Sequence, residues 1–264
     1  MKTILRCEDS LEGIFSGVYE GWAGHYDHDT IELCLEESPD MELFSRYIDV
    51  PTDRERAGKV ERTIRQKMGW EVYEAVGRAA LSYDLSKGTA IYRLIVTALS
   101  MERPGNVLEV LTDPGVMQVT RLARTVWNEA HHLMGFVRFE ELENGVLLSI
   151  IRPKNQVLPA IAPHFAERLP QENWAIYDEG RALFAVHPKG KDWFLLRGER
   201  LNEAFAARLS SEEMELQTLW KDFCSSIMIH SRRNEELQRQ LLPKRFRPYM
   251  TEFNKEIISE MPGL

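Results

Sequence analysis

Asn144-Gly145 is the feature that most restricts this chain, because it stands between two runs that alternate apolar and polar side chains. Asn-Gly readily takes up the left-handed backbone of a tight hairpin turn. Phe136 to Glu141 reads as the first strand, with Phe136, Arg138 and Glu140 on one face and Val137 and Phe139 on the other. Val146 to Arg152 is the returning strand, and Pro153-Lys154-Asn155 ends it. Val157 to Arg168 then has helical spacing through Leu158, Ile161, Phe165 and Leu169. Trp174 to Asp178, Ala182 to His187 and Asp192 to Leu196 are three further strand candidates. The expectation is a central antiparallel sheet with one inserted helix on a face.

The flanks read as helix. Met1 to Cys7 is a short strand, and Asp9-Ser10 caps an amphipathic helix carrying Leu11, Ile14, Phe15, Val18, Tyr19 and Trp22. Thr30 to Leu35 alternates as a half-buried strand, and after Ser38-Pro39 the pattern turns helical. Asp53 caps a helix to about Met68, a second runs from Trp70 to Leu81, Asp84 to Ser86 introduces a third through Met101, and Asp113-Pro114 opens a fourth through Met134. Beyond the sheet, Ser210-Ser211 with Glu213 approximates a capping box, and a short helix follows Asn234 until Leu242-Pro243. The fold class is therefore α+β, with a largely helical N-terminal part and a helical C-terminus. We divide it at 1–134, 135–200 and 201–264, three parts of one compact unit.

Composition narrows the function classes. The net charge of −8 argues against a surface that grips nucleic acid all over, since such binding neutralises many phosphates. Two stretches run the other way: Asp53 to Lys67 with Arg54, Arg56, Lys59, Arg62, Arg65 and Lys67, and Met228 to Met250 with Arg232, Arg233, Arg239, Lys244, Arg245 and Arg247. Each is either a phosphate-facing strip or a solvated helix face. Cys7, Cys34 and Cys224 lie far apart, with neither a disulfide framework nor the spacing that holds an iron–sulfur cluster. No apolar run reaches the roughly 18–20 residues of a membrane span, and no export signal opens the chain, so a cytoplasmic location is expected. Phosphate-loop, dinucleotide-binding and nucleophile-elbow motifs are missing.

Glu129 and His132 lie three apart on the fourth helix and share a face, a spacing that metal-binding carboxylate–histidine pairs use; His131 points elsewhere. Histidines near a helix C-terminus also simply cap loose carbonyls. Arg138 either pairs with Glu129 or Glu140 or holds a phosphate or carboxylate in a cleft. His164 lies on the short helix after the hairpin, where it can return toward His131 and His132, the three histidines that would hold any metal. Asp178 and Arg181 add a polar pair of the kind turns often carry.

The combination Val126-x-x-Glu129-x-His131, Gly135-Phe136-Val137-Arg138-Phe139, Pro153, Asn155-x-Val157-Leu158-Pro159, Ala162-Pro163-His164-Phe165 with Arg168, and Trp174 with Asp178 resembles a bacterial domain of unknown function associated with DNA metabolism and DNA repair. Leu219-Trp220-Lys221, Ile229, Arg232, Asn234, Gln238, Pro243, Arg245 and Glu252 are similar to that family's closing segment. The resemblance implies a protein found alone beside a partner radical S-adenosylmethionine (SAM) protein, or fused to a uracil-DNA glycosylase-like module; it implies no reaction and no cofactor. The leading expectation is an accessory protein that binds nucleic acid or a repair enzyme, with Arg232, Arg233, Lys244, Arg245, Phe246 and Arg247 touching DNA. Phe246 or Tyr249 would stack on an unpaired base. Two alternatives stand beside it: an enzyme using Glu129, His131, Arg138 and His164 on a nucleic-acid or nucleotide substrate, and a scaffold for the radical SAM partner.

Overall fold

The computed structural model describes residues 2–36, 42–227 and 234–253. They divide between two units, Met1–Asn128 with Lys154–Gln156, and Glu129–Pro153 with Val157–Leu264. The chain is 54% helical and 15% strand, an α+β protein as expected.

In the first unit the βα opening forms as its pattern dictates. β1 (Lys2–Arg6) carries buried Thr3, Ile4 and Leu5, and Ser10 caps α1 (Leu11–Ala23) by accepting from the Gly13 N–H. β2 (Ile31–Cys34) and β3 (Ser45–Asp49) flank β1 in a parallel sheet of order β2-β1-β3. The β3 pairing is a correction, since the segment after Ser38-Pro39 reads as helical. Its alternation is shallow, and only pairing with β1 makes it a strand.

Asp53 accepts from the Glu55 and Arg56 N–H groups and caps α2 (Arg54–Thr63). That helix continues into a π-helical turn, Ile64–Met68, which Gly69 ends at φ +88°. α3 (Trp70–Ala80), α4 (Lys87–Ser100), a 3-10 turn (Pro104–Glu109) and α5 (Pro114–Phe136) complete the helical part. Their apolar stripes close over one core containing Leu5, Ile14, Ile31, Ile64, Val76, Ile91, Leu94 and Val116. Asn155 belongs to this unit: its side-chain oxygen accepts from the Tyr83 N–H at 3.1 Å, while the Gln156 N–H donates to the Leu81 carbonyl at 2.9 Å.

In the second unit a five-stranded sheet has the order β4-β5-β6-β7-β8: β4 (Glu140–Glu141), β5 (Leu147–Ile151), β6 (Trp174–Asp178), β7 (Leu183–His187) and β8 (Phe194–Arg197). The expected hairpin is present but its first strand is short. Glu141 faces Leu147, and the loop Glu143 to Gly145 has three residues, with Gly145 in the left-handed region at φ +75°. Phe136 to Phe139 is not strand. α5 runs on to Phe136 because Ala130 and Leu133 are buried at helical spacing, and the Val137 N–H still donates to the Leu133 carbonyl.

The sheet is also mixed rather than wholly antiparallel, with β5 and β6 parallel and the other pairs antiparallel. α6 (Leu158–Arg168) is the reason: a helix that runs back along the sheet returns the chain to the end where β5 began, so β6 must repeat its direction. Leu158, Ile161 and Phe165 from α6 bury Ile151, Trp174, Ile176 and Leu183, with Phe246 in the same cluster. After the short α7 (Glu203–Ala206), Ser210 caps α8 (Ser211–Ser226), Asn234 caps α9 (Glu235–Leu241), and 3-10 turns at Lys244–Tyr249 and Thr251–Phe253 follow.

Candidate functional site

The chemistry expected on α5 and in the C-terminal basic segment meets in the second unit, but as internal contacts. Glu129 is 4% exposed, and its carboxylate lies 3.1 Å from the Arg245 guanidinium. Arg245 also lies 4.7 Å over the ring of Phe246, which is itself only 4% exposed and sits in the core. Phe246 packs 5.6 Å from Phe136 and 6.5 Å from His132. In this conformation its ring has no face to offer a base. Arg138 stands in the loop after α5 and pairs at 3.0 Å with Glu252, not with Glu129 or Glu140.

Arg247 is half-buried, 5.2 Å from the Phe253 ring centre, and Lys244 is exposed. Arg232 and Arg233 lie outside the described residues. Tyr249 donates its hydroxyl to Glu179 at 2.9 Å, and burial together with that carboxylate pushes the phenol up to about 12. It is half-buried and tied at its polar end.

The histidines are not gathered into a metal site. His131 and His132 are exposed, while His164 on α6 is half-buried with its ring 5.1 Å from Phe165. Among the described residues no group of three or more His, Cys, Asp or Glu side chains is placed to hold a metal ion. His25, Asp27, His28 and Asp29 likewise form turn contacts: Asp27 accepts from the Asp29 N–H at 3.1 Å, and His28 meets the Tyr92 hydroxyl at 2.5 Å.

Next to Phe246 lies a small concavity lined by Leu133, Phe136, Val137, Ile150, Arg152 and Tyr249. Its enclosed space is only about 10 Å³, that of about one water, far below the roughly 300 to 1,000 Å³ of small-molecule sites. At the end of β6, Asp178 is fully buried and pairs with Arg181 at 3.0 Å; Gly180 also donates to it at 3.0 Å. Burial is the larger influence and raises its pKa above the ordinary aspartate value, against the lowering effect of Arg181.

A carboxyl whose folded pKa is raised favours the folded state most below its unfolded pKa, and that contribution is lost as pH rises through the folded value. Asp178→Asn should accordingly be less costly at pH 7 than at about pH 3.5, as read by urea denaturation at the two pH values. An equal cost at both would show that Asp178 titrates alike in the folded and unfolded chain.

Three of the six cations between Asp53 and Lys67 pair with neighbouring carboxylates. Arg56 pairs with Glu20 and Asp53, Lys59 with Glu55 and Arg65 with Glu61. Arg54, Arg62 and Lys67 have no ion pair among the described residues.

What residue patterns did not flag as a site is α8. Its Glu213 and Gln217 side chains hold it to the hairpin: Glu213 accepts from the Glu141 N–H at 3.2 Å, and Gln217 donates to Glu140 at 3.2 Å. The capping box is therefore half formed, because Ser210 accepts from the Glu213 N–H while the Glu213 carboxylate turns to β4. Burial and the charge of Glu213 raise the pKa of Glu140. Beside this anchored stripe run Leu216, Leu219, Trp220, Phe223 and Ile227, exposed by 58%, 64%, 41%, 51% and 58%. Their spacing is that of one helix face. The signal was visible in the sequence as an ordinary amphipathic helix; only the structure shows that no described residue buries the apolar side.

A protein-family model for a domain of unknown function, DUF4130, matches residues 86–252, more than half of the chain. The chain belongs to the DUF4130 family. The match runs from just before α4 to the last 3-10 turn, so it takes in the whole sheet of the second unit and α8, and leaves residues 1–85 outside. No curated protein matches the chain. One solved structure, a DHH domain described as a member of the s1p family of ribosomal proteins, is 13% identical, covering 70% of this chain and 73% of that one with a TM-score of 0.31. A likeness that loose bears on neither the fold nor the function of this DUF4130 protein. Among the described residues no helix is long and apolar enough to cross a membrane.

Proposed function

We propose that this DUF4130 protein is an accessory protein of DNA metabolism that works by docking on a partner enzyme. The apolar stripe of α8 carries the reading. Monomeric proteins seldom leave several large apolar side chains exposed side by side, and such patches mark interaction surfaces. Trp220 and Phe223, with ring centres 5.8 Å apart, are the type of aromatic anchor that dominates binding energy.

The flanks of the stripe indicate what fits. Glu212, Glu213 and Glu215 open the helix and Asp222 follows, against Lys221 alone. An acidic rim repels phosphates and also repels a second copy of itself, while it complements an apolar groove edged with Lys and Arg. A protein surface is therefore the better occupant of this face than nucleic acid. The DNA-metabolism setting and the candidate partners, a radical SAM protein or a uracil-DNA glycosylase-like protein, come from the family resemblance.

The test is calorimetric titration of the full chain with the purified radical SAM protein. Leu219→Glu and Phe223→Glu are each expected to weaken binding by at least tenfold, about 1.4 kcal/mol, with the thermal unfolding midpoint unchanged because both side chains face solvent. Equal affinity of the variants and the parent protein would remove α8 as the docking face.

A further inference from the structure

β8 (Phe194–Arg197) is the last strand of the sheet in the second unit. Its inner edge pairs antiparallel with β7, Ala185 facing Leu195, Phe184 facing Leu196 and Val186 facing Phe194. On its outer edge no strand and no backbone hydrogen bond takes up the amides and carbonyls among the described residues. The opposite end of the sheet is closed. There the Ser210 N–H donates to the Glu141 carbonyl at 2.9 Å, the Glu143 N–H donates to the Arg208 carbonyl at 2.9 Å, and Glu213 accepts from the Glu141 N–H at 3.2 Å.

Native sheets ordinarily blunt an open edge with inward charges, lysine or proline. β8 carries no proline, and its one charge, Arg197, stands at its end. Phe194 and Leu196 are 48% and 42% exposed. They share the sheet face that holds Val186 and Phe184, while Trp193 and Leu195 pack against the core on the side of α6. An exposed apolar edge of this kind is a template for another strand.

The order of the side chains decides which strand fits. An antiparallel copy related by a two-fold axis through Leu195 sets position 194 of each chain opposite position 196 of the other, and 193 opposite 197. Phe194 then meets Leu196 twice on the exposed face, Trp193 meets Arg197 on the other face, and Lys191 before the strand comes toward Glu199 after it. A parallel copy in register would instead set Arg197 against Arg197 and Asp192 against Asp192, which is unfavourable. The segment is its own antiparallel complement in both hydropathy and charge.

We infer that β8 is a self-association edge, at which two chains pair their β8 strands antiparallel about Leu195 and join their five-stranded sheets. Because the β4 end is closed, pairing stops at two chains instead of running on as a filament. So short a contact belongs to the weak, transient class of interfaces, and monomer and dimer exchange with concentration. The edge is separate from the apolar stripe of α8.

Sedimentation velocity of the full chain, from low to high micromolar concentration, tests the pairing. The parent protein should pass from monomer to dimer and no further. Phe194→Glu and Leu196→Lys should each weaken dimerisation by about tenfold or more, because either change spoils both apolar cross-strand pairs at once. Their thermal midpoints should be unchanged, since both side chains are exposed. Mixing the two variants should restore the dimer: the carboxylate introduced at position 194 then faces the ammonium introduced at position 196, and one Phe194–Leu196 pair remains. If a charged variant unfolds, Phe194→Cys mixed with Leu196→Cys decides the matter. Opposed strand positions are close enough for a disulfide, so the mixture, and neither variant alone, should give a covalent dimer on mild oxidation. A parent chain that stays monomeric would leave the edge to a strand of another protein and overturn the inference. So would a dimer that both charged variants form as well as the parent, or impaired variants that mixing does not restore.

Discussion

Trp174→Ala is expected to lower the stability of the second unit by about 3–5 kcal/mol, the range for deleting a fully buried aromatic side chain. Trp174 is 1% exposed and is the meeting point of three elements. It stacks on His187 of β7 at 5.1 Å with the planes 5° apart, and it lies within 6.5 Å of Phe165 of α6 and 6.1 Å of Phe139. Truncation leaves a cavity that the sheet and α6 can close only by moving together. Its indole Nε1 has no hydrogen-bond partner among the described residues, so Trp174→Phe removes an unsatisfied donor along with the outer ring. That variant should cost markedly less than the alanine. Urea denaturation followed by circular dichroism gives both values, and a Phe variant as unstable as the Ala variant would show that ring volume alone matters.

Asp9→Ala is expected to destabilise the first unit by about 3 kcal/mol. The Lys87 side chain is 4% exposed, and its ammonium donates to Asp9 at 2.6 Å and to the Ser82 carbonyl at 2.5 Å. Removing Asp9 strands a buried cation with a single carbonyl. Lys87→Met acts differently: Asp9 is 43% exposed and returns to water, while the methionine fills the buried path of the lysine stem. The order of cost should therefore be Asp9→Ala above Lys87→Met, measured at pH 7 by chemical denaturation. The reverse order would mean that the ammonium reaches solvent when Asp9 is lost.

The second-unit contacts also change how a simple DNA-binding test is read. Arg245→Glu would place a carboxylate against buried Glu129, so weaker DNA binding by that variant reports lost structure as much as a lost phosphate contact.

Local signals were legible wherever one residue acts on its own turn. Ser10, Asp53, Ser210 and Asn234 each cap the helix that the sequence assigns to them, since a cap bonds backbone only two or three residues ahead. Gly145 turns the hairpin for the same local reason. Membership in a family of unknown function was legible in the spaced residues between Val126 and Glu252. Where alternation competed with a helical period, as at Phe136 to Phe139, the residue pattern was ambiguous, and burial of Leu133 decided for helix.

The sequence by itself therefore determined the helices and their caps, the hairpin, the α+β class and the residues with chemistry to offer. Only the tertiary structure decided that Glu129 meets Arg245 and Arg138 meets Glu252, that Phe246 is core, that β5 and β6 run parallel, and that the α8 stripe and Trp70 remain exposed. The reason is physical: periodicity shows which face of an element is apolar, but whether that face is covered, and which distant charge a buried carboxylate finds, depends on contacts between segments remote in the chain.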